Sequence, residues 1–112
     1  MPLQKWSEDI WLVQLFNEPA FSEELELSIS QFAAADPPPH VVVDLGGVDS
    51  VNSSNLSQLL RLRKLTADRD KLLKLAHPSN TVWSVFLSTS LDGVFDFSSD
   101  TMTALAELQL LG

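Results

Sequence analysis

The sequence predicts an α/β domain in which helices pack against a mainly parallel or mixed sheet. Strand-like and helix-like segments alternate along the chain, which is typical of this class. The run HVVVDL at residues 40–45 has no polar alternation, which indicates a strand covered on both faces. A length of 112 residues with 45% apolar content suits one core. We therefore expect a single domain over residues 1–112, with a four- to five-stranded mixed sheet and about four helices.

The first two elements are a strand and a helix. IWLVQLF at residues 10–16 is rich in aromatic and β-branched residues, and the turn formers Asn17-Glu18-Pro19 close it. Residues 20–35 have apolar side chains at helical spacing, although Leu25-Leu27-Ile29 also alternates as in a strand. We predict a helix because acidic residues follow Ser22 and the segment is longer than a typical strand. The prolines at residues 37–39 end it.

The central strand and the helix after it form the most informative part of the chain. Gly46-Gly47 is expected to end the strand at residues 40–45. Residues 53–67, SSNLSQLLRLRKLTA, place polar residues at helical spacing and leave most leucines on the opposite side, Leu60 included. The remaining predictions are a strand at 71–76, a helix at 81–89 capped by Ser79 or Asn80, a strand at 94–97, and a helix at 101–111 capped from residues 98–100.

Charge argues against a nucleic-acid partner. The net charge is −8, and residues 1–60 contain a single base, Lys5, against nine acids. The other six bases all lie in residues 61–74. Arg61, Arg63 and Lys64 could pair with an acidic partner or cover apolar surface with their stems, but we favour ordinary solvation at the helix end. An acidic chain repels phosphate backbones, so a broad nucleic-acid surface is not expected.

Residue types also limit the chemistry and the compartment. The chain has no cysteine, which excludes disulfides and thiolate chemistry and fits a reducing compartment. His40 and His77 are isolated, so we expect surface or capping roles for them and no metal or cofactor site. The three tryptophans are expected to pack in the core or at its edge. No apolar run approaches the roughly 20 residues of a membrane span, and we expect a soluble, cytoplasmic protein.

Two blocks resemble the STAS domain family of bacterial anti-sigma factor antagonists. HVVVDLGGVDSVNSSNLSQLL, residues 40–60, looks like the family's central strand followed by its D-S-S-G loop and helix. SNTVWSVFLSTSLDGVFDFSSD, residues 79–100, is similar to the later pattern of a helix, a turn and a short strand with Phe. The resemblance covers most of the chain and implies the family's α/β fold.

The resemblance implies a regulated binding function without catalysis. Family members bind a GHKL-type serine kinase that acts as an anti-sigma factor, and the kinase ends the association by phosphorylating the first serine of the loop. That serine is Ser53 here, with Ser54 as the weaker candidate. The chain departs from the family pattern at Asn52, where the family has Asp, and at Asn55, where it has Gly. The predicted partner-binding residues are Asn52, Ser53, Ser54, Asn55, Ser57 and Arg61.

Physical chemistry explains how such a serine can act as a switch. The first turn of a helix has backbone N–H groups without intrahelical acceptors and a positive dipole end, both of which stabilise a phosphate. A phosphate adds about −1.5 to −2 charges at pH 7, which a docked partner must leave buried and unpaired. A simpler interpretation is that Asn52 or Ser53 only caps the helix. The two roles are compatible.

Other functions remain to be weighed. One alternative is a STAS module that is never phosphorylated and regulates a larger assembly, such as a stress-signalling complex or the ATPase of a lipid transporter. Another is an enzyme, for which Ser53, His40 and Asp44 supply residue types but no G-x-S-x-G motif. We do not expect catalysis. The sequence does not decide whether the chain forms a homodimer.

Overall fold

The computed structural model describes residues 3–111 of the chain. Within these residues it has five strands and four helices, which agrees with the predicted four to five strands and about four helices. In chain order the elements are β1 (Leu3–Lys5), β2 (Ile10–Phe16), α1 (Ala20–Ala34), β3 (His40–Gly47), α2 (Ser53–Asp68), β4 (Leu73–Ala76), α3 (Asn80–Ser88), β5 (Asp96–Ser98) and α4 (Thr101–Leu111).

The five strands form one mixed sheet in the order β1-β2-β3-β4-β5. β1 pairs with β2 in the antiparallel sense, whereas β2 to β5 are parallel. Each parallel strand is followed by a helix, so the loops that lead into α1, α2, α3 and α4 leave the same edge of the sheet. We call this edge the carboxyl edge.

The helices cover both faces of the sheet unequally. α1, α2 and α3 bury their apolar sides in the larger core, together with strand residues such as Val13, Val43 and Leu75. α4 covers the opposite face with a smaller cluster: Ile10, Leu12, Val42, Ala76, Ala104, Leu105 and Leu108. The three central valines of β3, Val41–Val43, are at most 1% exposed. The prediction of a strand covered on both faces is therefore confirmed.

Several predicted element ends were wrong. β3 continues through Gly46-Gly47 instead of ending before them, because both glycines still pair or pack beside neighbouring strands. β4 begins at Leu73 rather than residue 71, since Lys71 donates its backbone N–H to Thr66 and closes the turn after α2. β5 occupies 96–98 rather than 94–97, because Val94 is held in a turn by Leu91.

Two further features differ from the sequence predictions. β1 was not predicted, because three residues, none of them buried, give no periodic signal. Leu60 was assigned to the buried side of α2 but is 37% exposed, because the helix buries a narrower stripe through Leu56, Leu59 and Leu62.

The tryptophans take different positions. Trp11 is buried in the core, and Trp83 packs edge-on against Phe97 at a centroid distance of 4.9 Å. Trp6 is partly exposed. In the part of the chain that the structure describes, no helix combines the length and apolar character needed to cross a bilayer.

Candidate functional site

The first turn of α2 is closed by two asparagines that cap it reciprocally. Asn52 has an extended backbone, and its Oδ1 accepts the backbone N–H of Asn55 at 2.8 Å. The Oδ1 of Asn55 accepts the backbone N–H of Asn52 at 3.0 Å, which completes a capping box. Of the two predicted N-cap residues, the structure therefore has Asn52 and not Ser53. The Ser53 hydroxyl is not required for the cap.

Ser53 and Ser54 are the first two residues of α2, and both are exposed at the carboxyl edge. At these positions the backbone N–H groups have no acceptor four residues earlier in the helix. The capping box occupies the N–H of Asn55, which leaves the positive end of the helix dipole at the two serines. The site can therefore accept an anion locally.

The Asn55 side chain lies buried beneath the exposed serines Ser53 and Ser54. Its side chain is 1% exposed, and its Nδ2 donates to the Glu18 carboxylate at 3.3 Å. Its backbone is helical, so the exchange of the family's Gly for Asn does not place a side chain on left-handed backbone. Although Asn55 was predicted to contact a partner, its side chain faces inward and ties α2 to the start of α1.

Glu18 is the anionic link between the two helices. Its carboxylate accepts the backbone N–H of Ser22 at 2.7 Å and the Ser22 hydroxyl at 2.5 Å, besides the amide of Asn55. These hydrogen bonds, with those from Ser22 the strongest, lower the pKa of Glu18 below its usual value. The carboxylate is therefore ionised at neutral pH.

A second pair of contacts fixes the loop before α2. The Asn17 amide donates to the Asp49 carboxylate at 2.8 Å, and the Asp49 backbone N–H donates to Asn17 Oδ1 at 2.8 Å. A further carboxylate, Asp44, accepts the Gly46 N–H at 2.8 Å near the end of β3. We call Glu18 and Asp49, which line one cavity, the acidic rim. A shallow cavity of about 420 Å³ opens here, lined by Asn17, Glu18, Asp49, Ser50, Val51, Asn52 and Asn55.

The exposed stripe of α2 continues from the serines along the helix. Ser53, Ser57 and Arg61 are four residues apart, so they lie on one side of α2, and all three are exposed. Arg61 pairs with Glu26 of α1, its Nη2 lying 2.6 Å from each carboxylate oxygen. This guanidinium, followed by the Gln58 amide, lowers the pKa of Glu26. Arg61, the last residue of the stripe, is thus held against α1.

The residue types of the enzyme alternative are not brought together. His40 begins β3 and Ser53 follows its far end, and the two ends of this eight-residue strand are about 23 Å apart. His40 Nδ1 accepts the Leu72 N–H at 3.0 Å, which joins the start of β3 to the residue before β4. Burial, and then the nearby Lys71, lower the pKa of His40. In the described range 3–111, no cluster of three His, Asp or Glu residues could hold a metal.

Comparison with known families decides the family. A model described as "Mlab, STAS domain" matches residues 18–106. The chain belongs to the STAS domain family. The predicted resemblance and the predicted fold are therefore confirmed. A comparison with curated proteins found no matching sequence.

Solved structures share the STAS fold at low sequence identity. An anti-sigma-factor antagonist (STAS) domain protein from Planctomyces limnophilus is 20% identical with a TM-score of 0.77, over 89% of this chain and 91% of that one. A serine-to-glutamate variant of RsbS from Moorella thermoacetica is 16% identical with a TM-score of 0.83, over 98% and 95%. The anti-sigma factor antagonist SpoIIAA, in its unphosphorylated form, is 16% identical with a TM-score of 0.73, over 96% of both chains.

Sequence reasoning missed the acidic residues of the site. Asn17 and Glu18 were interpreted only as turn formers, and Asp49 was not singled out. Their contacts join positions more than 30 residues apart, so no local pattern indicates them. The one available signal was their position after two buried strands, since the carboxyl ends of parallel strands share an edge.

Proposed function

We infer that this STAS domain is a regulatory protein-binding module whose partner is an anti-sigma factor serine kinase of the GHKL type. The contact surface is the loop before α2 together with its exposed stripe: Asn52, Ser53, Ser54, Ser57 and Arg61, with Asn55 supporting it from below. Phosphorylation of Ser53 ends the association. The module itself is not catalytic.

One observation carries this proposal: Ser53 is exposed at the start of α2 while Asn52 caps the helix. Modification of the Ser53 hydroxyl therefore removes no cap and leaves the fold intact. The hydroxyl is accessible to the kinase, which covers the same position when it is bound as the partner. Ser54 is exposed as well and is the weaker candidate.

The surroundings of Ser53 make a phosphate disruptive for a bound partner. Arg61 is two helical turns away, about 12 Å along the axis, and is already paired with Glu26. The neighbouring acidic rim adds negative charge of its own. A phosphate on Ser53 is therefore stabilised only by the backbone N–H groups, and a partner that buries it must desolvate an unneutralised dianion.

An in vitro phosphorylation assay tests the modified position. Purified kinase and ATP should label the unaltered chain and the Ser54→Ala variant but not the Ser53→Ala variant. Ser54→Ala is the matched control because both serines lie exposed in the same helical turn. Full labelling of Ser53→Ala would reject Ser53 as the phosphorylation site.

A second candidate is a module that is not phosphorylated and regulates a larger assembly, such as a stress-signalling complex or a lipid transporter's ATPase. The observation that favours it is the capping box itself, in which Asn52 and Asn55 replace the family's Asp and Gly. A kinase that reads the family loop meets different residues on both sides of the serines. Copurification with a transporter ATPase, and no labelling by the kinase, would decide for this candidate.

A further inference from the structure

Phe16 is an exposed aromatic residue at the carboxyl edge that the core does not explain. It is the last residue of β2, and its side chain is 50% exposed. The residue after it, Asn17, makes the two hydrogen bonds with Asp49 that fix the loop before α2. Phe16 therefore lies on the same edge as the proposed contact surface, joined to it by one residue.

The Phe16 ring packs against Gly47 of the neighbouring strand β3. The register between β2 and β3 shifts after Gln14, so that Phe16 pairs with Gly47. A Cβ atom at Gly47 would lie 2.6 Å from Phe16 Cδ1 and 2.9 Å from Cε1. The ring thus lies directly against backbone, and a side chain at residue 47 would displace it. Glycine at residue 47 therefore leaves the space that the ring occupies.

Charge near the ring indicates what can bind it. Two carboxylates lie near the end of β2: Glu18 is two residues after Phe16 in the chain, and Asp49 accepts a hydrogen bond from Asn17, the residue next to Phe16. The basic residues lie elsewhere: Lys5 is at the other end of β2, opposite Trp11, and the remaining Lys and Arg are in residues 61–74. A cationic side chain of a partner can therefore approach the exposed aromatic ring with these carboxylates nearby.

We propose that Phe16 is the aromatic anchor of the partner interface and receives an arginine or lysine side chain of the bound protein. Aromatic residues carry a large share of binding energy when a partner excludes water from them. The acidic rim pairs with the same cationic side chain and speeds association. This inference rests on the proposed function and extends its contact surface from α2 to the end of β2.

The test measures the dissociation constant for the purified serine kinase. Phe16→Ala should weaken binding at least tenfold, whereas Leu27→Ala should leave it unchanged. Leu27 is the matched control, since it is 55% exposed and lies in the middle of α1. Gly47→Ala should weaken binding in the unaltered chain and have a smaller effect in the Phe16→Ala background, because its shortest contacts are with the ring and only the contact with the Leu15 carbonyl oxygen at 3.1 Å remains.

The outcomes separate this inference from the proposed function. If Phe16→Ala binds as well as the unaltered chain while Ser53→Glu does not bind, the anchor is refuted and the contact surface on α2 stands. If Phe16→Ala and Ser53→Glu both weaken binding, both are supported. If the unaltered chain does not bind the kinase, both fail. Affinity that does not fall with added salt would contradict a cationic partner group.

Discussion

The hydrogen bonds of the capping box predict how much stability is lost when one of the two asparagines that replace the family residues is changed. The perturbation is Asn55→Gly, which restores the family's residue. It removes the acceptor of the Asn52 backbone N–H at 3.0 Å and the donor to Glu18 at 3.3 Å. It also places glycine in the first turn of α2, where the backbone loses more conformational freedom on folding.

The expected loss of stability follows from these changes. A buried or partly buried hydrogen bond contributes about 0.5–1.5 kcal/mol net, and glycine costs a few tenths of a kcal/mol relative to asparagine in a helix. The bond to Glu18 adds little because that carboxylate is solvated. The sum is about 0.8–1.8 kcal/mol, which for a domain of 112 residues lowers Tm by roughly 3–8 °C.

Urea unfolding of a double-mutant cycle measures the effect. Asn52→Ala should cost about 1 kcal/mol by loss of the cap, and the double variant should cost at least about 0.5 kcal/mol less than the sum, since either change already frays the turn. Fully additive effects would show that the two asparagines act independently. An unchanged stability of Asn55→Gly would refute the structural role assigned to it.

Three further variants test other parts of the account. Phe86→Ala should destabilise the fold by about 3–5 kcal/mol, because its fully buried ring contacts Phe95 and Phe97; a loss below about 1 kcal/mol in urea unfolding would contradict this core assignment. Glu18→Gln should flatten the pH dependence of stability on the acid side. The pKa of Glu18 is lowered in the folded state, so the ionised carboxylate stabilises the fold above the usual pKa of 4.5, and this stabilisation is lost as pH falls through the folded-state pKa. Identical pH profiles of Tm for the two chains would contradict this reasoning. Arg61→Ala should change stability by less than about 1 kcal/mol, because both partners of its ion pair are half exposed, yet weaken kinase binding; unchanged binding would remove Arg61 from the contact surface.

The central part of the fold could be predicted from the sequence because its signals are local. The valine run of β3 and the leucine spacing of α2 each determine their own element, and the predicted and observed ranges differ only at the ends. The short strands gave weaker signals. β5 has three residues, and its position depends on pairing with β4, which no pattern within residues 94–98 reveals.

The site could be predicted only where it depends on a single segment. The exposure of Ser53 follows from the helical spacing of α2, and the cap at Asn52 was one of two stated alternatives. The inward position of Asn55 depends on Glu18, which is 37 residues earlier in the chain. The exposure of Phe16 was also hidden, because the sequence places it in an apolar strand and says nothing of the register shift beside Gly47.

The buried lysine of β4 illustrates how the helices are fixed around the site. Lys74 faces α4, with its side chain 11% exposed and its Nζ 3.4 Å from Glu107. The Ser98 hydroxyl donates to the same carboxylate at 2.9 Å, and these two groups, Ser98 first, lower the pKa of Glu107. α4 is therefore attached to β4 and β5 on the face of the sheet opposite α2.

The most direct measurement is the affinity of the purified kinase for two forms of the same chain, unmodified and phosphorylated only on Ser53, by isothermal titration calorimetry. The account predicts at least a hundredfold weaker binding of the phosphorylated form, equivalent to about 2.7 kcal/mol, with circular dichroism unchanged. Equal dissociation constants for the two forms would contradict it.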